Sequence, residues 1–83
     1  MPSAEFNAAA EKIKTLPSPP SNDKLLELYG LFKQATVGDN TTAAPGMFDL
    51  KGKAKHNAWT EKKGLSQEQA EKEYIALVAQ LTA

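Results

Sequence analysis

The sequence predicts an all-α protein built as a four-helix bundle, and three observations support that prediction. The chain has 83 residues, enough for one small domain, which we take as residues 1–83. Only four residues are β-branched aliphatics, so the chain has little material for a sheet. Glycine and proline interrupt it at residues 16–20, 38–48 and 63–65 and leave four segments. Four helices with three connections indicate a bundle.

The first predicted helix begins at about Ser3, a residue suited to the N-cap, and ends near Thr15. One face of this segment is apolar at the i, i+3, i+4, i+7 spacing of a helix. That face consists of Phe6, Ala9, Ala10 and Ile13.

The second predicted helix, over residues 21–37, is unusually apolar. Its apolar residues cover an arc of roughly 220°, whereas a surface helix needs a stripe only somewhat wider than about 100°. These residues are Leu25, Leu26, Leu28, Tyr29, Leu31, Phe32 and Ala35. One interpretation is a central helix packed on two sides. The other is that one edge, which holds Leu26, Tyr29 and Lys33, faces a ligand.

The connection over residues 38–48 is longer than the roughly 2–8 residues usual between bundle helices, so we expect it to join parallel neighbours. The third helix is predicted from an N-cap at Asp49 to about Lys63. The fourth begins at Ser66, and Gln69 three residues later matches a capping box. Its apolar stripe consists of Ala70, Tyr74, Leu77, Val78 and Leu81.

The third predicted helix is basic: residues 50–64 contain five lysines and one glutamate. Lys51, Lys55 and Lys62 project within roughly 40° of one another, and the pattern gives this row no acidic partner. Such like-charge neighbours do not favour folding. The row is therefore either a solvated face or a site for an anionic ligand such as a phosphate. His56 lies beside Lys55 and is predicted to be a surface residue.

Composition excludes several other classes. One histidine and no cysteine cannot form a zinc site, and no nucleophile is spaced beside a base, so we expect neither a metal nor an enzyme. No apolar run approaches the roughly 18 residues of a membrane span, and no signal peptide is visible at the start. The formal net charge of zero argues against nucleic acid as a partner.

Two long motifs carry a resemblance to a known family. They are YGLFKQATVGD over residues 29–39, and PGMFDLKGKAK over residues 45–55 followed by Ala58 and Trp59. In this order, and with matching residues in the outer segments, the sequence over residues 3–82 resembles the acyl-CoA-binding protein family. The resemblance implies an up-down-down-up four-helix bundle. It also implies non-catalytic binding and carriage of medium- to long-chain fatty acyl-CoA esters by a cytoplasmic monomer, with no cofactor beyond that ligand.

The resemblance further implies roles for single residues. Tyr29 would stack on the adenine, Lys33 and Lys55 would pair with the phosphates, chiefly the ribose 3′-phosphate, and Tyr74 would contact the nucleotide part. The remaining implied ligand contacts are Lys14 near the ligand, Ala9 and Ala10 at a close approach to the first helix, and Leu25, Leu26 and Leu28 along the acyl path.

Two positions depart from the family pattern. Phe32, which we also place in the acyl-CoA site, stands where many members have tyrosine, so a hydroxyl is missing. His56 stands where tryptophan is common, which removes an apolar plate. The alternative function is a small helical interaction module whose lysine row docks an acidic protein or an anionic membrane surface.

Overall fold

A computed structural model describes residues 3–83, and within that range it contains helices and no strand. The all-α prediction is therefore confirmed. None of the helices in this part of the chain is long and apolar enough to cross a membrane. The helices are α1 (Ala4–Lys12), which a 3₁₀ turn (Ile13–Thr15) continues, α2 (Asn22–Thr36), α3 (Leu50–Thr60) and α4 (Gln67–Leu81).

Each α-helix begins at a side chain that caps it. The side-chain oxygen of the residue before the helix accepts a hydrogen bond from a backbone N–H three residues later, which satisfies a donor that the first turn leaves free. The capping residues are Ser3, Ser21, Asp49 and Ser66. The sequence predicted this role for Ser3, Asp49 and Ser66, and placed the start of α2 at about residue 21.

Two details of the helix ends differ from the predictions. Helix α3 ends at Thr60 rather than near Lys63, because i→i+3 hydrogen bonds tighten the chain into a turn before Gly64. Gly64 has a φ of +92°, which glycine adopts without strain. The predicted capping box at α4 is only half formed, since the Gln69 amide donates to Glu73 instead of returning to the backbone of Ser66.

The contacts between helices give the up-down-down-up topology. Helix α4 packs against both α1 and α2, and α3 packs against α2. The Ser3 N–H donates to Glu71 and Phe6 contacts Tyr74, so α1 and α4 run parallel. Gln67, at the start of α4, donates to Ala35 near the end of α2, so these two helices are antiparallel.

Helices α2 and α3 run parallel, as the long connection predicted. Lys55 lies over Tyr29, and one turn further along both helices Lys33 lies over Trp59. The two backbones approach closely at Gly30, where a Cβ atom would lie 2.5 Å from the carbonyl oxygen of Ala58. Glycine at this position therefore lets the side chains of the two helices meet.

The core lies between α1, α2 and α4. It is small and has Phe6, Leu31 and Val78 among its most buried side chains. Only part of the wide apolar arc of α2 is buried in this core, namely Leu28, Leu31 and Ala35. Leu25 and Phe32, in the same arc, remain partly exposed. The interpretation of α2 as a helix packed on two sides is confirmed, since α2 contacts both α3 and α4. The interpretation that the edge with Leu26, Tyr29 and Lys33 faces a ligand stays a prediction.

A polar cluster joins the end of α2 to the turn before α4. The Gln34 side chain is 1% exposed, and its Nε2 donates to the Asp39 carboxylate at 2.8 Å and to the Leu65 carbonyl at 2.7 Å. The same carboxylate accepts the Gly64 N–H at 2.9 Å. The hydrogen bond from Gly64, followed by that from Gln34, lowers the pKa of Asp39 below its ordinary value of 3.8.

This pKa shift predicts how stability depends on pH. Because the folded state holds Asp39 ionised more strongly than the unfolded state does, its stabilisation is present above about pH 3.8 and is lost as the pH falls through the lower folded pKa. We expect Asp39→Asn to lower the melting temperature at neutral pH, with a smaller difference from wild type in strong acid. Thermal unfolding at both pH values measures this, and Glu61→Gln controls for the loss of one exposed carboxylate. An equal deficit at both pH values would contradict it.

Candidate functional site

Three grooves meet along the face of the protein where α2 lies beside α3 and the first connection. We name them by their linings. The aromatic groove, about 460 Å³, is lined by Ile13, Lys14, Leu16, Pro19, Pro20, Leu25, Leu28, Tyr29, Phe32 and Tyr74. The lysine groove, about 300 Å³, is lined by Tyr29, Lys33, Thr42, Ala43, Pro45, Gly52, Lys55, His56 and Trp59. The leucine groove, about 420 Å³, is lined by Asn22, Leu25, Leu26, Leu50, Lys51, Ala54 and Lys55.

Shared residues connect the three grooves into one surface. Tyr29 lines both the aromatic and the lysine groove. Lys55 lines both the lysine and the leucine groove, and Leu25 lines the leucine and the aromatic groove. An elongated ligand could therefore contact an aromatic ring, an ammonium group and an apolar wall without leaving the protein surface.

The aromatic groove rests on a cluster of three rings. Phe6 lies beneath it, with ring centroids 5.5 Å from Phe32 and 4.8 Å from Tyr74. Tyr74 is 4% exposed, and its burial raises the pKa of the phenol above the ordinary value of 10.0. The hydroxyl is therefore neutral at physiological pH and adds no negative charge to the site.

The lysine groove concentrates positive charge beside aromatic rings. The Lys33 Nζ lies 5.0 Å from the centroid of Trp59, and the Lys55 Nζ lies 5.5 Å from that of Tyr29. Both distances suit a cation–π contact, which holds a flexible lysine side chain in place. No acidic side chain is among the described residues that line this groove or the other two. The groove therefore suits an anion, and lysine is a common partner of phosphate.

The leucine groove offers an apolar wall between the first turns of α2 and α3. Leu25 is 41% exposed and Leu50 is 75% exposed, so apolar surface is open to a ligand here. Leu26 is half-buried in the same wall. Leu28, by contrast, is buried. It lines the aromatic groove, which Leu25 also lines, and does not line the leucine groove.

The predicted contacts on α1 are only partly brought to this surface. Lys14 is exposed at the aromatic groove, where it also pairs with Glu11 at 3.6 Å. Ala9 is 7% exposed in the core, and Ala10 packs half-buried against the same cluster. Neither alanine lines any of the three grooves.

The lysine row of α3 is not uniform, contrary to the expectation that it lacks acidic partners. Lys62 lies 3.9 Å from Glu27 of α2, in a separate groove that Asp23 and Glu61 also line. Lys51 and Lys55 instead line the leucine groove. Because Glu27 is distant from Lys62 in sequence, a helical projection of α3 alone could not show this pair.

His56, predicted to be a surface residue, lines the lysine groove and is half-buried there. The sequence did not predict that its Nε2 donates to the Thr42 carbonyl oxygen, at 3.2 Å. Trp59 also lines the lysine groove, and the sequence predicted no role of its own for this residue. Its indole Nε1 donates to the Gly38 carbonyl at 2.7 Å, which fixes the start of the connection against α3. A single tryptophan in a basic helix could have indicated this, because a buried indole needs an acceptor.

Comparison with known proteins identifies the family of this chain. The family model described as Acyl CoA binding protein matches residues 3–78. The chain belongs to the acyl-CoA-binding protein family. The Caenorhabditis elegans acyl-CoA-binding protein homolog 1 is 65% identical over 78 residues, 94% of this chain and 91% of that protein. A Drosophila melanogaster acyl-CoA-binding protein homolog is 60% identical and covers 100% of this chain and 96% of its own length.

Solved structures of family members share the fold. The crystal structure of Oryza sativa Acyl-CoA-Binding Protein 2 superposes with a TM-score of 0.89 at 53% identity, covering 93% of this chain and 86% of that chain. The solution structure of the yeast acyl-coenzyme A binding protein superposes with a TM-score of 0.76 at 57% identity, covering 95% of this chain and 92% of that chain. These similarities confirm the resemblance and the four-helix bundle. They do not support the alternative of an interaction module that docks through its lysine row.

Proposed function

We propose that this chain binds medium- to long-chain fatty acyl-CoA esters without catalysis, maintains their pool and carries them in the cytoplasm. It would act as a monomer, with residues 1–83 forming one domain. The observation that supports this best is the meeting of three grooves around Tyr29 and Lys55. The ligand consists of an aromatic base, phosphates and an apolar chain, and each of these parts matches one lining. Membership of the acyl-CoA-binding protein family supports the same ligand.

In this proposal, the nucleotide lies at the aromatic and lysine grooves. The adenine stacks on Tyr29, with Tyr74 and Lys14 near the nucleotide part, and Phe32 supplies apolar surface in the same groove. A stacked base contributes roughly 1–3 kcal/mol in nucleic-acid sites, which gives the scale here. Lys33 and Lys55 pair with the phosphates, and a hydrogen bond to a charged group is worth roughly 1.5–3 kcal/mol.

The acyl chain follows the leucine groove in this proposal. Leu25 and Leu26 contact the chain, while Leu28 supports the neighbouring groove from beneath. We assign Ala9 and Ala10 to the close packing of α1 on the core, because neither lines a groove.

The proposed function predicts that affinity rises with acyl-chain length. Each methylene buried contributes up to about 0.8 kcal/mol, so two added carbons strengthen binding by up to about an order of magnitude until the groove is filled. Calorimetric titration of a saturated acyl-CoA series from C8 to C20 measures the rise. Leu25→Ala should flatten it, whereas Val37→Ala, an exposed apolar residue outside the grooves, should not. A flat wild-type series would contradict the leucine groove as the acyl site.

The proposal of binding without catalysis predicts that the thioester survives. The residues that line the lysine groove include no nucleophile hydrogen bonded to a base. The His56 ring is hydrogen bonded to the backbone carbonyl of Thr42 instead. Palmitoyl-CoA incubated with excess protein should release free thiol no faster than in buffer. A thiol-reactive dye measures release. Protein-dependent thiol release that scales with protein concentration would show hydrolysis and contradict the carrier function.

A further inference from the structure

A buried amide fastens the connection between α2 and α3. Asn40 is 8% exposed, although the residues that follow it in the connection are largely exposed. Its Nδ2 donates to the Thr60 hydroxyl at 3.0 Å and to the His56 carbonyl at 3.3 Å, both on α3. Its Oδ1 accepts the Thr42 N–H at 2.9 Å and the Thr42 hydroxyl at 2.5 Å. Two donors and an acceptor with two partners use the full hydrogen-bonding capacity of an amide.

The His56 ring also hydrogen bonds to Thr42, through the backbone carbonyl of that residue. Because a carbonyl oxygen can only accept, the Nε2 that lies 3.2 Å from the Thr42 oxygen must carry the proton. The Nδ1 of this ring is buried and has no partner among the described residues. Thr42 is therefore held through its N–H, its hydroxyl and its carbonyl, by two side chains that are anchored on α3.

The fastened segment forms one side of the lysine groove. Thr42, Ala43 and Pro45 line that groove from the connection, while Lys33 lines it from α2 and Lys55 from α3. Asn40 itself does not line the groove. Its hydrogen bonds can therefore affect a ligand only through the position of the segment that they hold.

We propose that Asn40 and His56 are positioning residues for the phosphate-bearing part of the ligand, because together they hold Thr42–Pro45 at a fixed distance from Lys33 and Lys55. This inference rests on the proposed function of the lysine groove. Loss of either side chain lets the segment move, so the lysines no longer meet the anion in a closed groove. The acyl contact in the leucine groove is unaffected, since none of the fastened residues lines it.

The test compares Asn40→Ala and His56→Phe with wild type for three ligands: CoA, octanoyl-CoA and palmitoyl-CoA. Each variant should lose affinity about tenfold, within the 5–150-fold range typical of coupling between sites. The factor should be the same for all three ligands, because only the shared head group is affected. Thr41→Ala, at an exposed neighbour in the same connection, is the matched control and should bind like wild type. His56→Gln keeps an N–H that can reach the Thr42 carbonyl and should restore most of the affinity.

The outcomes separate this inference from the proposed function. If wild type binds none of the three ligands, the proposed function fails. If wild type binds but Asn40→Ala and His56→Phe bind equally well, the inference alone is overturned. A loss that grows with chain length also overturns it, since the effect would then lie in the leucine groove. Thermal unfolding of each variant checks that it is folded. If Asn40→Ala does not fold, the comparison of His56→Phe with His56→Gln tests the inference.

Discussion

Palmitoyl-CoA is expected to bind at least about 100-fold more tightly than CoA, and free palmitate is expected to bind poorly. The expectation follows from the joined grooves, because Lys55 lines both the lysine and the leucine groove. Once the phosphates are held, the acyl chain meets its groove in an effectively intramolecular step, and such linkage raises affinity by roughly 10²–10⁴. Free palmitate lacks the head group, so it would lose the proposed contacts with Tyr29 and Lys33 in the aromatic and lysine grooves.

Three parallel titrations at fixed salt, below the micelle threshold of the ester, measure this difference. Octanoyl-CoA provides an internal check, because its shorter chain should give it an affinity between those of CoA and palmitoyl-CoA. Equal affinity for palmitate and palmitoyl-CoA would mean that the site recognises only the chain, and the lysine groove would have no role. Equal affinity for CoA and palmitoyl-CoA would mean that the leucine groove contributes nothing.

Local features of the chain could be predicted well because the residues that determine them are close in sequence. Three of the four N-caps, Ser3, Asp49 and Ser66, were predicted, because a cap is a serine or aspartate whose side chain hydrogen bonds to a backbone N–H three positions ahead. The parallel arrangement of α2 and α3 followed from the length of one connection. Which residues of the α2 arc are buried in the core could not be predicted, because this depends on where α1 and α4 pack.

Features that depend on residues far apart in the sequence could not be predicted, because those residues meet only after the helices have packed. The expected lysine row of α3 is interrupted by Glu27, which reaches Lys62 only after α2 and α3 have packed. The basic and polar neighbours of His56 predicted a surface position, but they could not predict its hydrogen bond to the carbonyl of Thr42, 14 residues earlier in the chain. Long-range hydrogen bonds of this kind leave no periodic pattern in the sequence.

The candidate site depends on one close approach between helices. Gly30 allows the backbones of α2 and α3 to meet near Ala58, and this contact lies between the two lysine–ring pairs. Gly30 itself lines none of the three grooves, so it does not contact the ligand in the proposed arrangement. It sets the separation of Lys33 and Lys55, which come from different helices and line the same groove.

Lys33→Ala is expected to weaken palmitoyl-CoA binding by about 10–150-fold, which corresponds to the roughly 1.5–3 kcal/mol of a hydrogen bond to a charged group. Lys55→Ala should have a similar effect. Both ammonium groups lie over rings in the lysine groove, and the described residues that line that groove include no carboxylate to compete for them. Calorimetry at fixed salt measures the loss, and thermal unfolding checks that each variant is folded.

Lys63→Ala and Lys62→Ala are the matched controls for this loss. Lys63 lies in the turn after α3 and lines none of the three grooves. Lys62 is paired with Glu27 in a separate groove. Removing either charge lowers the net charge of the protein by the same amount as Lys33→Ala, so it reproduces any effect of long-range attraction. We expect both controls to bind palmitoyl-CoA within a small factor of wild type. If Lys63→Ala weakened binding as much as Lys33→Ala, attraction would be diffuse and the lysine groove would not be the phosphate site.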